Sequence, residues 1–265
     1  IVAEHGLSIY IEAQGKRILF DAGATNLFAA NAAAMKVDLA AVDFAVISHG
    51  HYDHTGGFPI FHELNRTAPI YIHRNALRVC YGTEGGRLDE GGTLDNKPCS
   101  IAWNDDELKA LSQQLLFTDG PVTVCENIKI TGTVPVGPDF VPTEYFYYRE
   151  NDQLIKDDMS HEQCLVIREP EGLYIFSGCS HQGVVNALNA GKSMFPDERV
   201  AVLVAGMHLY EAGDADRARV IDEIVSENMD NVMPVHCTGI KAICDLKTRL
   251  GEKCTVLTAG DEYVV

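Results

Sequence analysis

A short histidine-rich stretch at residues 48–57 limits the fold of this chain more than any other part of its sequence. It reads Ser-His-Gly-His-Tyr-Asp-His-Thr-Gly-Gly, and it directly follows the run Phe-Ala-Val-Ile at residues 44–47. That run predicts a buried strand, because it is short, apolar and β-branched and is closed by a glycine. The strand therefore delivers a cluster of polar side chains at its end.

Four side chains of this stretch are candidate metal ligands. His49 and His51 are two residues apart, so in extended backbone they leave the same face. Asp53 and His54 follow where the chain is expected to bend, and they can approach the same point from another side. Imidazole and carboxylate together suit zinc, and also iron or manganese. The two pairs predict the start of two adjacent metal sites, against the alternative of a polar loop whose histidines bind backbone.

Three later histidines also come directly after apolar strands. They are His181, His208 and His236, and Cys179 shares one face of an extended strand end with His181. Each histidine alone would more often be structural. Beside the first cluster, His181 and His236 are favoured as ligands. His208 stays open between a ligand, a support for the ligands and a substrate contact, and we include it with Asp53 among the candidate catalytic residues.

Composition excludes several kinds of partner. The chain has 265 residues and a net charge of −17, which argues against a nucleic-acid partner because phosphate binding relies on clustered Lys and Arg. No stretch approaches the ~20 apolar residues that a membrane span requires. We also expect no signal peptide. The eight cysteines include no CxxC pair, which predicts a reducing, cytoplasmic protein rather than a disulfide framework.

The hydrophobic pattern predicts one domain over residues 1–265, in which hairpin strands precede helices in each half. Residues 80–120 are rich in glycine and charge, and this predicts an inserted loop or lid region. The aromatic cluster at residues 145–148 is either core packing or a flat wall that binds a ring.

The His-x-His-x-Asp-His stretch, preceded by Asp-Ala-Gly at residues 21–23, resembles the signature of the metallo-β-lactamase fold superfamily. More narrowly, residues 4–8, 48–57, 177–181 and 236–239 resemble the 7,8-dihydropterin-6-methyl-4-(β-D-ribofuranosyl)aminobenzene-5'-phosphate synthase-like branch of metal-dependent hydrolases. The resemblance implies an α+β fold, an αββα sandwich of two mixed β-sheets flanked by helices. It also implies metals at one rim of the sandwich.

Ligand roles follow from the resemblance. The implied ligands are His49 and His51 for the first metal, and Asp53, His54 and His236 for the second. Asp21 matches an aspartate that supports the metal loop, the stretch at residues 48–57, through hydrogen bonds. Many members carry an aspartate that bridges the metals at the position of Cys179. We favour His181 as the replacement ligand and keep Cys179 as an alternative, while His161 is the nearest match to another histidine of the superfamily.

The resemblance and the residues together predict a hydrolase with two divalent metal ions, zinc before iron or manganese. Metal-activated water would attack an ester, phosphoester or lactone of a small molecule, with Asp53 able to accept a proton. The substrate could carry a phosphate or a pterin. One alternative is a synthase-like transferase, and another is a low-turnover metal- or redox-responsive sensor. An iron-site oxygen-reducing enzyme of this fold would need a flavin domain, which these residues do not contain. No oligomeric state is predicted.

Overall fold

Two mixed β-sheets form the centre of the protein in the computed structural model, which describes residues 1–137 and 140–264. The strands are numbered in chain order. They are β1 Ile9–Ala13, β2 Lys16–Phe20, β3 Phe44–Val46, β4 Ile70–His73, β5 Cys80–Tyr81, β6 Thr83–Glu84, β7 Thr93–Leu94, β8 Leu115–Thr118, β9 Val122–Cys125, β10 Ile128–Ile130, β11 Tyr147–Glu150, β12 Gln153–Lys156, β13 Leu165–Glu169, β14 Gly172–Ser177, β15 Val200–Gly206 and β16 Asn231–Val235.

The first sheet has the order β1-β2-β3-β4-β8, and the second has the order β16-β15-β14-β13-β10-β9. In the first sheet β1 is antiparallel to β2, and β2, β3, β4 and β8 run parallel. In the second sheet β14, β15 and β16 run parallel, and the strands from β14 to β9 pair antiparallel. Smaller sheets pair β11 with both β12 and β5, and β6 with β7.

Helices lie on the outer faces of both sheets. The α-helices are α1 Leu27–Ala34, α2 Tyr52–Thr55, α3 Phe58–Leu64, α4 Asp105–Leu111, α5 Val184–Ser193, α6 Asp214–Ser226 and α7 Ile240–Leu250. Short 3-10 turns occur at Leu39–Ala41, Arg74–Leu77, Leu88–Glu90, His236–Thr238 and Gly251–Lys253. Among the described residues, every helix falls short of the length and apolar character needed to cross a membrane.

Strand β3 illustrates why the fold has layers. Phe44 and Val46 pack into the core between the two sheets, whereas Ala45 and Ile47 pack into the core under the helices. Both faces of a strand buried between a sheet and a helix layer must be apolar, which explains the uninterrupted apolar run. Phe20 meets the second sheet across the central core.

The outer cores complete the sandwich. Helices α1, α3 and α4 contribute Phe28, Phe58 and Leu111 to the apolar layer on the first sheet. Helices α5, α6 and α7 contribute Leu188, Ile221 and Leu246 to the layer on the second sheet. The predicted αββα sandwich of two mixed sheets flanked by helices is confirmed.

A buried glutamine determines where helix α4 gives way to strand β8. Helix α4 ends at Leu111. Gln114 is buried, and its amide donates to the carbonyl oxygens of Asn65 and Ala68, which draws the chain into β8. Strand β8 belongs to the first sheet, so the last part of the stretch at residues 80–120 is sheet rather than loop, and the inserted region itself stays a prediction. Its role as a lid stays a prediction.

Candidate metal centre

The candidate ligands follow strands that end at one rim of the sandwich. Strands β14, β15 and β16 are parallel, so their carboxyl ends deliver Cys179, His208 and His236 to the same edge. Strand β3 brings residues 48–54 to that rim from the first sheet. The bend expected after His51 is the short helix α2, which begins at Tyr52. The two halves of the chain therefore supply one shared cluster.

Three histidines form the first ligand set. One ring nitrogen of each of His49, His51 and His181 lies within 4.8 Å of the others. The Nε2 atoms of all three are buried and have no hydrogen-bond partner among the described residues. Buried polar atoms are nearly always hydrogen-bonded, since leaving one unpaired costs roughly 1–3 kcal/mol. Three such atoms converging on one point fit a metal ion bound by imidazole.

The second ligand set mixes oxygen, nitrogen and sulfur. Asp53, His54, Cys179 and His236 have ligand atoms within 4.8 Å of one another. His54 Nε2 lies 3.1 Å from Cys179 Sγ and 3.2 Å from His236 Nε2. His236 Nε2 lies 3.1 Å from Asp53 Oδ2. Carboxylate, imidazole and thiolate together are typical ligands of zinc.

Asp21 and Ser48 fix the protons of the metal loop. Asp21 Oδ1 accepts from the Ser48 backbone N–H at 2.7 Å, and Oδ2 accepts from the Ser48 hydroxyl at 2.7 Å and from His54 Nδ1–H at 2.6 Å. Because the Ser48 hydroxyl gives its proton to Asp21, its oxygen accepts from His49 Nδ1–H at 2.9 Å. Both imidazoles thus carry a proton on Nδ1 and direct Nε2 at the ligand sets, the orientation that metal-binding histidines require. The role of Asp21 was anticipated from the resemblance, and that of Ser48 was not.

Electrostatics of the two sets differ. Burial, followed by repulsion from neighbouring histidines, lowers the pKa of His49 and of His181 well below the usual range, so both rings are neutral and able to bind a metal. Burial opposes ionisation of Asp53, but His54 and the hydrogen bonds from His236 and His5 hold its pKa below the usual range. Burial likewise opposes charge on His54, yet its acidic neighbours raise its pKa to about 9. The second set therefore favours a positive charge at its centre.

The remaining candidates occupy different positions. Cys179 lies in the second set, next to His54, and burial followed by Cys237 raises the pKa of its thiol. His208 can group with Cys179 and His181, and its Nδ1 lies 3.1 Å from Glu144 Oε2. His161 belongs to no ligand set among the described residues.

His161 instead supports the metal loop. Its Nδ1 accepts from the Gly50 backbone N–H at 3.1 Å, and its ring stacks parallel to that of His49 at 6.3 Å. It is buried, and its Nε2 lies 3.7 Å from Asp157. This position fits a residue that orients ligands better than one that binds metal.

Two residues at the rim were not predicted. His5 Nε2 lies 3.2 Å from Asp53 Oδ2, and its side chain is 68% exposed. The resemblance of residues 4–8 to the synthase-like branch was the sequence signal for His5. A Cβ on Gly6 would lie 2.8 Å from the Asp53 carbonyl oxygen, so the adjoining backbone fits tightly against the metal loop. Glu144, which contacts His208, lies in an irregular stretch that offers no sequence signal.

The side chains of the aromatic cluster at residues 145–148 point in different directions. Phe146 is buried, and its ring lies 4.7 Å from that of His51 and 4.9 Å from that of His181. Tyr145 and Tyr148 instead face the cations of Lys156 and Arg78. Phe146 therefore forms an apolar wall against the first ligand set.

Comparison with known proteins gives concordant matches. The sequence profile of the metallo-beta-lactamase superfamily matches residues 2–147. The chain is 30% identical over 253 residues to the 7,8-dihydropterin-6-methyl-4-(β-D-ribofuranosyl)-aminobenzene-5'-phosphate synthase of Methanocaldococcus jannaschii, covering 91% of this chain and 83% of that protein. It is 30% identical over 253 residues to an uncharacterised protein of the same organism, covering 92% and 88%. The crystal structure of a metal-dependent hydrolase of the β-lactamase superfamily matches with a TM-score of 0.82 at 28% identity, covering 99% of this chain and 92% of that chain.

Proposed function

Because the chain belongs to the metallo-β-lactamase superfamily, we propose that it is an enzyme that uses two divalent metal ions to hydrolyse a small molecule. One observation carries the proposal. Three buried Nε2 atoms without partners, from His49, His51 and His181, converge beside a second set that contains carboxylate, imidazole and thiol. Without positively charged ions these sets would leave several buried polar groups unpaired.

We assign the two metals to the two ligand sets. The first is bound by His49, His51 and His181. The second is bound by Asp53, His54, Cys179 and His236. The thiol and imidazole ligands favour zinc over iron or manganese. Cys179 would bind zinc as a thiolate, and coordination would lower the pKa of the thiol, so the rise in that pKa caused by burial is no obstacle.

The proposed reaction is hydrolysis of an ester, phosphoester or lactone. When bound, the metals supply Lewis acidity, which lowers the pKa of a water molecule and polarises the bond to be cleaved. Asp53 Oδ2 lies 3.2 Å from the Nε2 of His5, whose exposed imidazole donates to it and helps to keep the carboxylate ionised, as a proton acceptor must be.

His208 has a separate role in the proposal. Its Nδ1 contacts Glu144 Oε2, and its ring lies 4.3 Å from that of His181. From this position we propose that His208 contacts the substrate beside the first metal. Phe146 would pack against an apolar or planar part of the same substrate. The substrate is a small molecule, and the net charge of −17 disfavours polyanions.

A transferase is the second candidate. The observation that favours it is the 30% identity to the dihydropterin synthase over 91% of this chain. The product in that name joins a 6-methyl dihydropterin to a ribofuranosyl-aminobenzene phosphate. Such a reaction would form a C–N bond between the methyl carbon and the amino nitrogen, while a leaving group departs from that carbon with its electron pair and the nitrogen loses a proton. In this candidate the same metals would hold the phosphate or activate the leaving group, and Phe146 would stack on the pterin ring. A cytoplasmic location also remains part of the proposal.

Purified protein distinguishes these candidates. Metal content is measured first, and the protein is then assayed with generic phosphodiester, lactone and carboxylic ester substrates. A parallel assay supplies 4-(β-D-ribofuranosyl)aminobenzene 5'-phosphate and a 6-methyl-7,8-dihydropterin that carries a leaving group, with product detected by mass. Hydrolysis that is lost in His51→Ala and retained in His62→Gln supports the first candidate. Stoichiometric metal without turnover in either assay contradicts both enzymes and favours the sensor.

A further inference from the structure

Two cysteines outside the proposed metal sets lie together beside His51. Cys80 Sγ and Cys99 Sγ are 3.6 Å apart. The sulfur atoms and a ring nitrogen of His51 all lie within 4.8 Å of one another. Cys80 is buried, and Cys99 is partly exposed. Neither thiol has a role in the proposed reaction.

The backbone holds this pair in position. The Cys99 N–H donates to the Cys80 carbonyl oxygen at 2.9 Å. This direct backbone hydrogen bond keeps the two residues adjacent, as a disulfide requires, since disulfides span Cα separations of about 4.4–6.8 Å. The sulfur atoms therefore need only side-chain rotation and a small shift to reach the bonding distance of about 2.05 Å.

The same segment is attached to the metal loop. The Tyr52 N–H donates to the Cys99 carbonyl oxygen at 2.9 Å, and His51 pairs with Ser100 as an isolated antiparallel bridge. A shift of Cys99 toward Cys80 would thus be transmitted to the backbone that carries His51. Close-packed protein interiors have low compressibility and transmit such strain to their neighbours.

We propose that Cys80 and Cys99 are a thiol–disulfide modification site whose oxidation weakens metal binding at the set formed by His49, His51 and His181. The disulfide itself is independent of the proposed function, whereas its effect on metal binding rests on that function.

The oxidant is a small-molecule disulfide such as oxidised glutathione. The partly exposed Cys99 thiolate attacks it, forming a mixed disulfide and releasing one reduced glutathione. The Cys80 thiolate then attacks the Cys99 sulfur, forming the protein disulfide and releasing the second glutathione. Two protein thiols are oxidised and one glutathione disulfide is reduced. A hydrogen bond with Cys80, and then burial, raise the pKa of Cys99, so this exchange is expected to be slower than that of the exposed Cys244.

Oxidised glutathione is added to the zinc-loaded protein, free thiols are alkylated, and the peptides are mapped by mass spectrometry. The expected product is a peptide pair joined through Cys80 and Cys99, in wild type and in the matched control Cys244→Ser. Cys80→Ser and Cys99→Ser should each lack it. Glutathione attached to Cys244 with no joined Cys80 and Cys99 peptides would overturn the proposal, because the oxidant was then active.

Zinc affinity is measured on the same samples by competition with a chromophoric chelator. Oxidation is expected to weaken the first site by at least about 10-fold, as loss of a ligand's outer partner does. Cys99→Ser, whose folding is checked by circular dichroism, should keep its affinity under oxidant. A disulfide with unchanged zinc affinity would overturn the coupling to His51. Reduced protein that binds no zinc would refute the proposed function, while the peptide map would still decide the disulfide.

Discussion

Asp21 controls which nitrogen of His54 can bind metal. Both of its oxygens are acceptors in the structure, and Oδ2 receives two protons, from Ser48 and from His54. Its φ of 57° is in the left-handed region, which costs a non-glycine residue of order 1 kcal/mol. Backbone strain at a buried aspartate is tolerated when the interactions of its carboxylate outweigh it.

We therefore expect Asp21→Asn to weaken metal binding at the second set by about 10- to 100-fold, as loss of an outer partner does. An amide keeps one acceptor for the Ser48 N–H, and its NH2 group then faces two other donors. His54 would have to move its proton to Nε2, where it blocks the metal. Zinc competition measures the loss, and Asp43→Asn, at an exposed aspartate, is the control. Unchanged affinity in Asp21→Asn would contradict this tautomer assignment.

His181 and His161 are proposed to have different roles: His181 binds the metal, whereas His161 orients the residues that do. We predict that His181→Ala lowers the zinc affinity of the first set by more than about 100-fold. This loss is larger than that expected when an outer partner of a ligand is removed. His161→Gln should still bind both ions, because its role is to accept the Gly50 N–H. Metal content after dialysis against a weak chelator checks both. Equal loss in the two variants would show that His161 is also a ligand.

At the scale of elements, the turn after β14 must approach the metal loop closely. A Cβ on Gly178 would lie 2.2 Å from Ser48 Oγ and 3.1 Å from His49 Nδ1. Contacts this short force a shift of the loop that holds the ligands. The glycine before Cys179 is thus required by packing between the two halves of the chain.

Gly178→Ala is expected to lower the free energy of unfolding by about 1–3 kcal/mol, the usual cost of overpacking. It should also weaken zinc binding, since His49 is displaced. Gly120→Ala is the matched control, because nothing lies within 4 Å of its added Cβ. There the substitution should leave stability unchanged or raise it by about 0.4–1 kcal/mol. Denaturant titrations give both free energies of unfolding. An unchanged free energy of unfolding in Gly178→Ala would contradict the close approach of this turn to the metal loop.

The elements also show what the sequence could predict. The apolar run before His49 and the hairpin β13–β14 follow directly from local patterns, because hydrophobic periodicity reports burial. In contrast, local patterns do not predict that Cys179 and His181 belong to different ligand sets. Only Ser180 separates the two residues in the chain, and its φ of 56° lies in the left-handed region, which the extended strand end assumed from the sequence does not include. Glu144 was missed because its position beside His208 depends on tertiary packing of an irregular segment.

At the scale of the whole molecule, the sandwich brings both halves of the centre to one rim. The first sheet supplies residues 49–54, and the second supplies Cys179, His181 and His236. Metal binding should therefore link the two halves and stabilise the folded state, since the unfolded chain has no preformed site. This contribution adds to the apolar core between the sheets.

Removal of metal with a chelator is expected to lower the free energy of unfolding. For one site in the presence of metal at 100 times its dissociation constant, the loss is about 2.7 kcal/mol. Thermal unfolding with and without chelator measures it, and readdition of zinc should restore the original midpoint. Chelation should lower the free energy of unfolding less in the His181→Ala variant than in the wild type. A midpoint that does not respond to chelator or zinc would contradict a metal that bridges the two halves.

The most direct test of the central claim is a crystal structure of the zinc-loaded protein with anomalous data at the zinc edge. The account predicts two adjacent anomalous peaks. One should be bonded to His49, His51 and His181, and the other to Asp53, His54, Cys179 and His236. Peaks elsewhere, or no peak at the rim in protein shown to contain zinc, would contradict the dinuclear centre.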